Sequence, residues 1–172
     1  MQYELLQKIQ GIFGQCVDMT VATVRPDGAP QATVVSFVHK GLVLYFASAA
    51  TSQKAANIAR DSRVAVTMTA PYDNWNEIEG LSIAAIAEEV QDVIQISEIT
   101  KLIVKRFPYV AHMEPNELDA IIFFKLLPQH ISVLDYQKGF RHTDLVSIGA
   151  GDIEEISQSV RHQWLIPMET WR

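Results

Sequence analysis

The sequence predicts a mainly β (α+β) domain, an antiparallel barrel of six to seven strands with short flanking helices. Three observations carry this. Short apolar or alternating runs follow one another along the chain, most of them joined by tight turns. Pro26-Asp27-Gly28 lies between two such runs, where proline presets φ and glycine accepts a positive one. The few helical stretches do not alternate regularly with strands, as a parallel α/β sheet would require.

Leu5, Leu6, Ile9, Ile12 and Phe13 share one helical stripe, so the chain opens with an amphipathic helix. Residues 19–24 read as a strand, residues 25–30 as a turn, and residues 31–38 as the returning strand of a hairpin. His39-Lys40-Gly41 turns the chain into a further strand at 42–47. A helix over about 52–60 precedes a strand at 64–69, and a polar loop at 71–76 carries Trp75. Residues 81–90 form a long strand. Ser97 is the expected N-cap of a helix whose stripe is Ile99, Leu102, Ile103 and Phe107, stopped by Pro108. Two more strands, 120–127 and 130–134, are expected to be broken by Pro128, which cannot donate to a ladder. Beyond them the expectation is a short helix at 152–162 and a tail at 164–172, with the whole of 143–172 less sharply patterned and expected to pack on a neighbouring subunit.

At 172 residues and 48% hydrophobic, the chain suits a single domain spanning 1–172. Its 14 Lys and Arg against 20 Asp and Glu give a formal charge of −6, and no basic block exists to follow a nucleic-acid backbone. The single cysteine, Cys16, cannot form an internal disulfide and reads as a small buried hydrophobe. The N-terminus lacks a signal-peptide pattern and no apolar run is long enough to cross a bilayer, so the expected location is cytoplasmic. His39, His112, His130 and His162 show no metal-site spacing, and no metal is expected. No catalytic triad order is visible.

The segment 42–68 is the most informative. It reads as a strand, a small polar loop, a helix opening on Thr51-Ser52-Gln53-Lys54, and a second strand. Hydroxyls, a lysine and unpaired first-turn amides converge on a helix start, where an anion is favoured. An ordinary capped helix would share the serine, but a first-turn lysine opposes the helix dipole unless an anion is present. A phosphate-bearing ligand is the natural occupant. A second dense stretch, 134–142, combines a glycine turn and two aromatics with Lys138, Arg141 and His142; it reads either as a solvated loop or as a contact for an anionic ligand.

The order of these features resembles the FMN-binding split barrels related to pyridoxamine 5′-phosphate oxidase. The resemblance rests on the Pro26-to-Pro30 turn, Leu44-Tyr45-Phe46-Ala47-Ser48, Ser52-x-Lys54-x-x-Asn57-Ile58, and Asp61-Ser62-Arg63-Val64-Ala65-Val66. It implies a homodimer with FMN at the two-fold interface. It makes Ser52 and Lys54 ligands of the FMN phosphate, flanked by Thr51 and Gln53. Val34, Val35 and Ser36 would lie along the flavin, Ser48 under the ring or ribityl chain, and Trp75 and Lys138 among further contacts. Thr33 and Gln53 stand where relatives carry arginine, with Arg60 or Arg63 as candidate substitutes, and Gly80 stands where the oxidases have glutamine. Val38 replaces the family's substrate-phosphate lysine, and its C-terminal Arg-x-His is absent, so pyridoxamine phosphate oxidation itself is a poor fit. The implied activity is FMN-dependent oxidoreduction of a small-molecule substrate, with reduced nicotinamide as a candidate donor and no catalytic residue assigned. The alternatives are a non-catalytic flavin carrier or sensor, and a haem-handling relative with His142 or His162 as axial ligand.

Overall fold

Alternation of buried and open positions marks most of the strands and fixes which face meets the core. The computed structural model describes residues 2–112 and 120–148. Its strands are β1 (Asp18–Val24), β2 (Pro30–Lys40), β3 (Val43–Ala49), β4 (Arg63–Thr69), β5 (Glu79–Glu89), β6 (Ile121–Asp135) and β7 (Thr143–Ser147). Its α-helices are α1 (Gln2–Gln15), α2 (Gln53–Arg60) and α3 (Val93–Arg106). The sheet order is β3-β2-β1-β4-β5-β6-β7, every pairing is antiparallel, and β3 also pairs with β6. That last pairing closes six strands into a barrel and leaves β7 outside it, on the edge of β6. The expected mainly β barrel is what the chain forms.

The barrel interior is filled by Phe37, Leu44, Phe46, Ile83, Leu126 and Ile131, with Ile9, Ile12 and Phe13 of α1 and Ile58 of α2 joining the same core. A smaller cluster lies outside the barrel wall, where Ile99 of α3 packs with Val38, Val43, Tyr45 and Val90. Gly28, at φ +83°, supplies the positive dihedral that the Pro26-Asp27-Gly28 turn needs.

Three expectations change. The helix after β5 begins at Val93, and its N-cap is Asp92, not Ser97: Asp92 Oδ1 accepts from the Gln95 amide at 2.8 Å. Pro128 does not divide two strands. β6 runs through it, and the register shift beside Ala84 and Ala85 pairs Ala85 with Pro128 and Ala84 with His130. This skips Gln129, so the residue without an N–H sits at a bulge. Finally, Thr143–Ser147 is a strand paired with β6 of its own chain. The helix expected at 152–162 and the tail at 164–172 lie outside the described residues. Among the described residues, no helix is long and apolar enough to cross a membrane.

Candidate functional site

The polar loop after β3 is drawn back into α2 by its own backbone. The Ser52 N–H donates to the Ala49 carbonyl at 3.0 Å, and Ser52 Oγ accepts from the Ala55 amide at 3.2 Å, capping the helix. Ser48 Oγ lies 2.9 Å from Ser52 Oγ and accepts from Lys54 Nζ at 3.2 Å. Ser48 is only 7% exposed, so the three side chains make a cluster with a cation at its rim and a buried hydroxyl beneath. The first-turn amides have no intrahelical acceptor and add the positive end of the helix dipole. Chemically, the arrangement suits an anionic oxygen group such as a phosphate.

Thr51 and Gln53 flank the cluster and are exposed. Gln53 does not reach outward: its Nε2 donates to Asn57 Oδ1 at 2.9 Å. Asn57, fully buried, donates through Nδ2 to Thr23 Oγ1 and Gln31 Oε1, both at 2.9 Å, and thereby pins α2 to the β1–β2 hairpin. Sequence reasoning missed this anchor. Its one local signal was an asparagine four residues after Gln53, on the side of α2 that also carries Ala55 and Ile58.

Thr33, Val34, Val35 and Ser36 all lie on β2, opposite Val21, Thr20, Met19 and Asp18 of β1, but on two faces. Thr33 and Val35 point inward with Gln31. Val35 is core, and Thr33 Oγ1 is buried with no hydrogen-bond partner among the described residues. Val34 is 69% exposed on the outer face, and Ser36 beside it donates to Asp18 Oδ1 at 2.6 Å.

Arg60 and Arg63 do not substitute for a missing arginine at the helix start. Arg60 donates to the Val24 and Arg25 carbonyls at 2.9 and 2.7 Å, and Arg63 makes paired bonds to Asp61 at 2.9 and 2.7 Å. Both sit at the far end of α2, and the hydrogen bonds from Arg63 hold Asp61 well below the usual carboxylate range.

Trp75 and Lys138 occupy the opposite end of the barrel. Ser48 pairs with Ile122 near the start of β6, whereas Lys138 follows its end. The Trp75–Glu77 and Tyr136–Lys138 3-10 turns lie against each other, joined by the Tyr136 amide to the Ile78 carbonyl at 3.0 Å. Within one chain, therefore, these two residues do not join Ser48, Ser52 and Lys54. Lys138 Nζ bonds Asp144 Oδ2 at 2.8 Å, and His142 Nε2 lies 3.2 Å from the same oxygen. Burial would raise the Asp144 carboxyl, but these two partners outweigh it and lower it. Arg141, at φ +68°, lies over the exposed Phe140 ring.

Beneath this end, Lys8 of α1 pairs with Glu79 at 2.9 Å and also with Asp135 Oδ2. Burial alone would lower the Lys8 ammonium, but its hydrogen bonds to Asp135 and Glu79 prevail and raise it. Asp135, 1% exposed, also caps the Tyr136 turn through the Gln137 amide. Gly80 is next in line: a Cβ there would stand 3.1 Å from the Met68 carbonyl, so the close approach of β5 to β4 excludes an easy glutamine. Among the described residues no three His, Cys, Asp or Glu side chains group as a metal site.

Comparisons with known proteins agree with this fold. No curated protein matches the sequence. Among solved structures, an F420 reductase is 27% identical with a TM-score of 0.59, over 72% of this chain and 94% of that one. A conserved hypothetical protein from Mycobacterium tuberculosis is 23% identical at TM-score 0.68, over 84% of this chain and 91% of its own. A haem-binding protein from Mycobacterium smegmatis shares the fold at TM-score 0.71 and 15% identity; the match covers 88% of this chain, which spans only 59% of that protein. The family model described as pyridoxamine 5′-phosphate oxidase matches residues 5–134, well over half of the chain. With its closed antiparallel barrel and the strand–loop–helix turn at Ser48–Lys54, the chain belongs to the pyridoxamine 5′-phosphate oxidase family.

Proposed function

We propose that the protein is an FMN-binding oxidoreductase that holds its flavin between two copies of the chain. The observation that carries this reading is the Ser48–Ser52–Lys54 cluster at the start of α2, a built anion site in a barrel of a family to which flavins are native. Ser52, Lys54 and the first-turn amides would hold the phosphate, with Thr51 and Gln53 at its margin and the unpartnered Thr33 hydroxyl facing the same hairpin end. Bound there, the flavin supplies the two-electron chemistry, and the protein's part is to bind, orient and exclude water. This division of labour asks for no catalytic acid or base from the protein.

Dimerisation reconciles the two separated groups of residues. A two-fold partner would bring its own Trp75 and Lys138 to the first chain's α2 start. On the outer face of β2, β1, β4 and β5, two neighbouring rows of small uncharged side chains offer the surface for it, with Val34 exposed at their edge. A small-molecule redox partner, with reduced nicotinamide the first donor to try, would then meet the flavin at the mouth of the cleft.

Titration with FMN, read by flavin fluorescence and visible absorption, tests this. Saturable binding is expected, and Lys54→Ala should weaken FMN by about tenfold or more while leaving riboflavin unchanged, since one charge-assisted contact is removed. A protein that ignores FMN and an F420-type deazaflavin alike would defeat the reading. The haem alternative draws less support: His142, the described histidine offered for it, faces Asp144. An unchanged Soret band on adding haem would dismiss it.

A further inference from the structure

We infer that the phosphorylated flavin is an exchangeable ligand of this protein, taken up and released through a single-cation grip, and not a resident prosthetic group. The inference rests on the flavin-phosphate reading of the α2 start and concerns how strongly that site holds. A phosphate monoester carries nearly two negative charges at neutral pH. Against it the α2 start offers Lys54 and the fractional positive charge of a helix terminus.

Within one chain no described arginine reaches the α2 start to complete the neutralisation. Arg25 pairs with Asp27 at 2.9 Å, Arg60 caps the hairpin carbonyls, and Arg63 is bound to Asp61. Arg106 donates to the Phe13 and Cys16 carbonyls at the end of α1. Arg141, which a partner would bring together with Lys138, lies over its own Phe140 ring. Lys138, which a partner would bring, already shares its charge with Asp144. Gln53, the exposed side chain nearest Lys54 in the first turn, is neutral and turned toward Asn57. Among the described residues of the chain, therefore, no guanidinium makes a bidentate contact, the strongest way to hold a phosphate, at the α2 start. Because association rates vary little within one site, the missing contact appears as fast release. The Asn57 network meanwhile keeps α2 in place, so the site stays formed whether or not the ligand is in it.

The test compares the full-length protein with Gln53→Arg and Thr51→Lys, both at exposed positions. FMN and riboflavin are titrated by fluorescence, and release is followed by rapid dilution and by dialysis. The wild type should bind FMN reversibly, prefer it to riboflavin by only about tenfold, and lose that preference as ionic strength rises. Each variant should tighten FMN by about tenfold, slow its release correspondingly, and leave riboflavin unchanged. FMN that survives dialysis of the wild type at full occupancy would overturn the exchange inference while upholding the flavin site. So would variants that gain no affinity. Absence of binding by both FMN and riboflavin would instead overturn the flavin reading, and this inference with it.

Discussion

Asn57 is the residue on which the α2 site turns. It is polar and fully buried, a costly combination that persists only when every polar atom is paired. Here the amide is satisfied on three sides, by Thr23 and Gln31 as acceptors and by Gln53 as donor. Asn57→Ala strands the buried Thr23 hydroxyl and removes the partner of both glutamine amides. The expected cost is about 2–3 kcal/mol of unfolding free energy, read from urea denaturation, with FMN affinity falling as α2 loses its register. An isostable variant would mean that water replaces the asparagine at no cost. Lys54, by contrast, sits at the rim of the cluster, so alanine there should affect binding more than folding, whereas Ser52→Ala also removes the α2 N-cap at a cost of about 1 kcal/mol.

At the scale of elements, α1, α3 and β2 meet at a joint centred on Arg106 and His39. Arg106 caps the last carbonyls of α1 and lies over the Phe37 ring at 5.4 Å, while His39 packs on Phe13 with ring centroids 5.2 Å apart. Burial lowers the His39 pKa below 6.5; its Nδ1 bond to the Gly41 carbonyl opposes this, and the nearby Arg106 charge adds to the lowering. The folded chain thus binds this proton less readily than the unfolded one. Stability is full above the unfolded pKa of about 6.5 and falls as pH drops through that value toward the folded pKa. Melting temperature should decline from pH 7 to pH 5, and His39→Gln should flatten that part of the profile; an unchanged slope would place the sensitivity elsewhere. The same elements show what periodicity can and cannot reveal. Strands and helices with a buried face were legible because their patterns are local. The start of α3 was not, because Val93 and Ile94 are apolar yet exposed, so the amphipathic stripe begins a turn after the true cap at Asp92. Pro128 misled because its missing N–H is absorbed by a bulge that only the partner strand determines. Likewise Ser52 and Lys54 could be read from their spacing. The ties from Asn57 to Thr23 and from Lys8 to Asp135 could not, since they join residues 34 and 127 positions apart.

For the whole molecule, the outer wall of the barrel carries the strongest constraint on assembly. Across four neighbouring strands, Ala32, Ala22, Ala65 and Ala84 stand in one register row, and Val34, Thr20, Thr67 and Ser82 in the next. No charge interrupts either row, although a solvated antiparallel face normally carries some. A small-residue surface of this kind lets a second sheet approach closely, and a two-fold axis makes the patch complementary to itself. The proposed dimer therefore predicts coupling between assembly and ligand binding. Thr67 sits in the middle of the face, exposed in the single chain and touching neither the α2 cluster nor the core. Thr67→Glu would set two carboxylates against each other across the axis, with no water to screen them. It should convert the dimer to monomers in size-exclusion chromatography with light scattering while leaving the far-UV spectrum of the barrel intact. FMN affinity should fall by at least about tenfold in the same variant, because Trp75 and Lys138 would no longer be delivered from the partner. A monomeric Thr67→Glu protein that still binds FMN at full strength would show that one chain completes the site alone. A dimeric one would move the two-fold axis to another face.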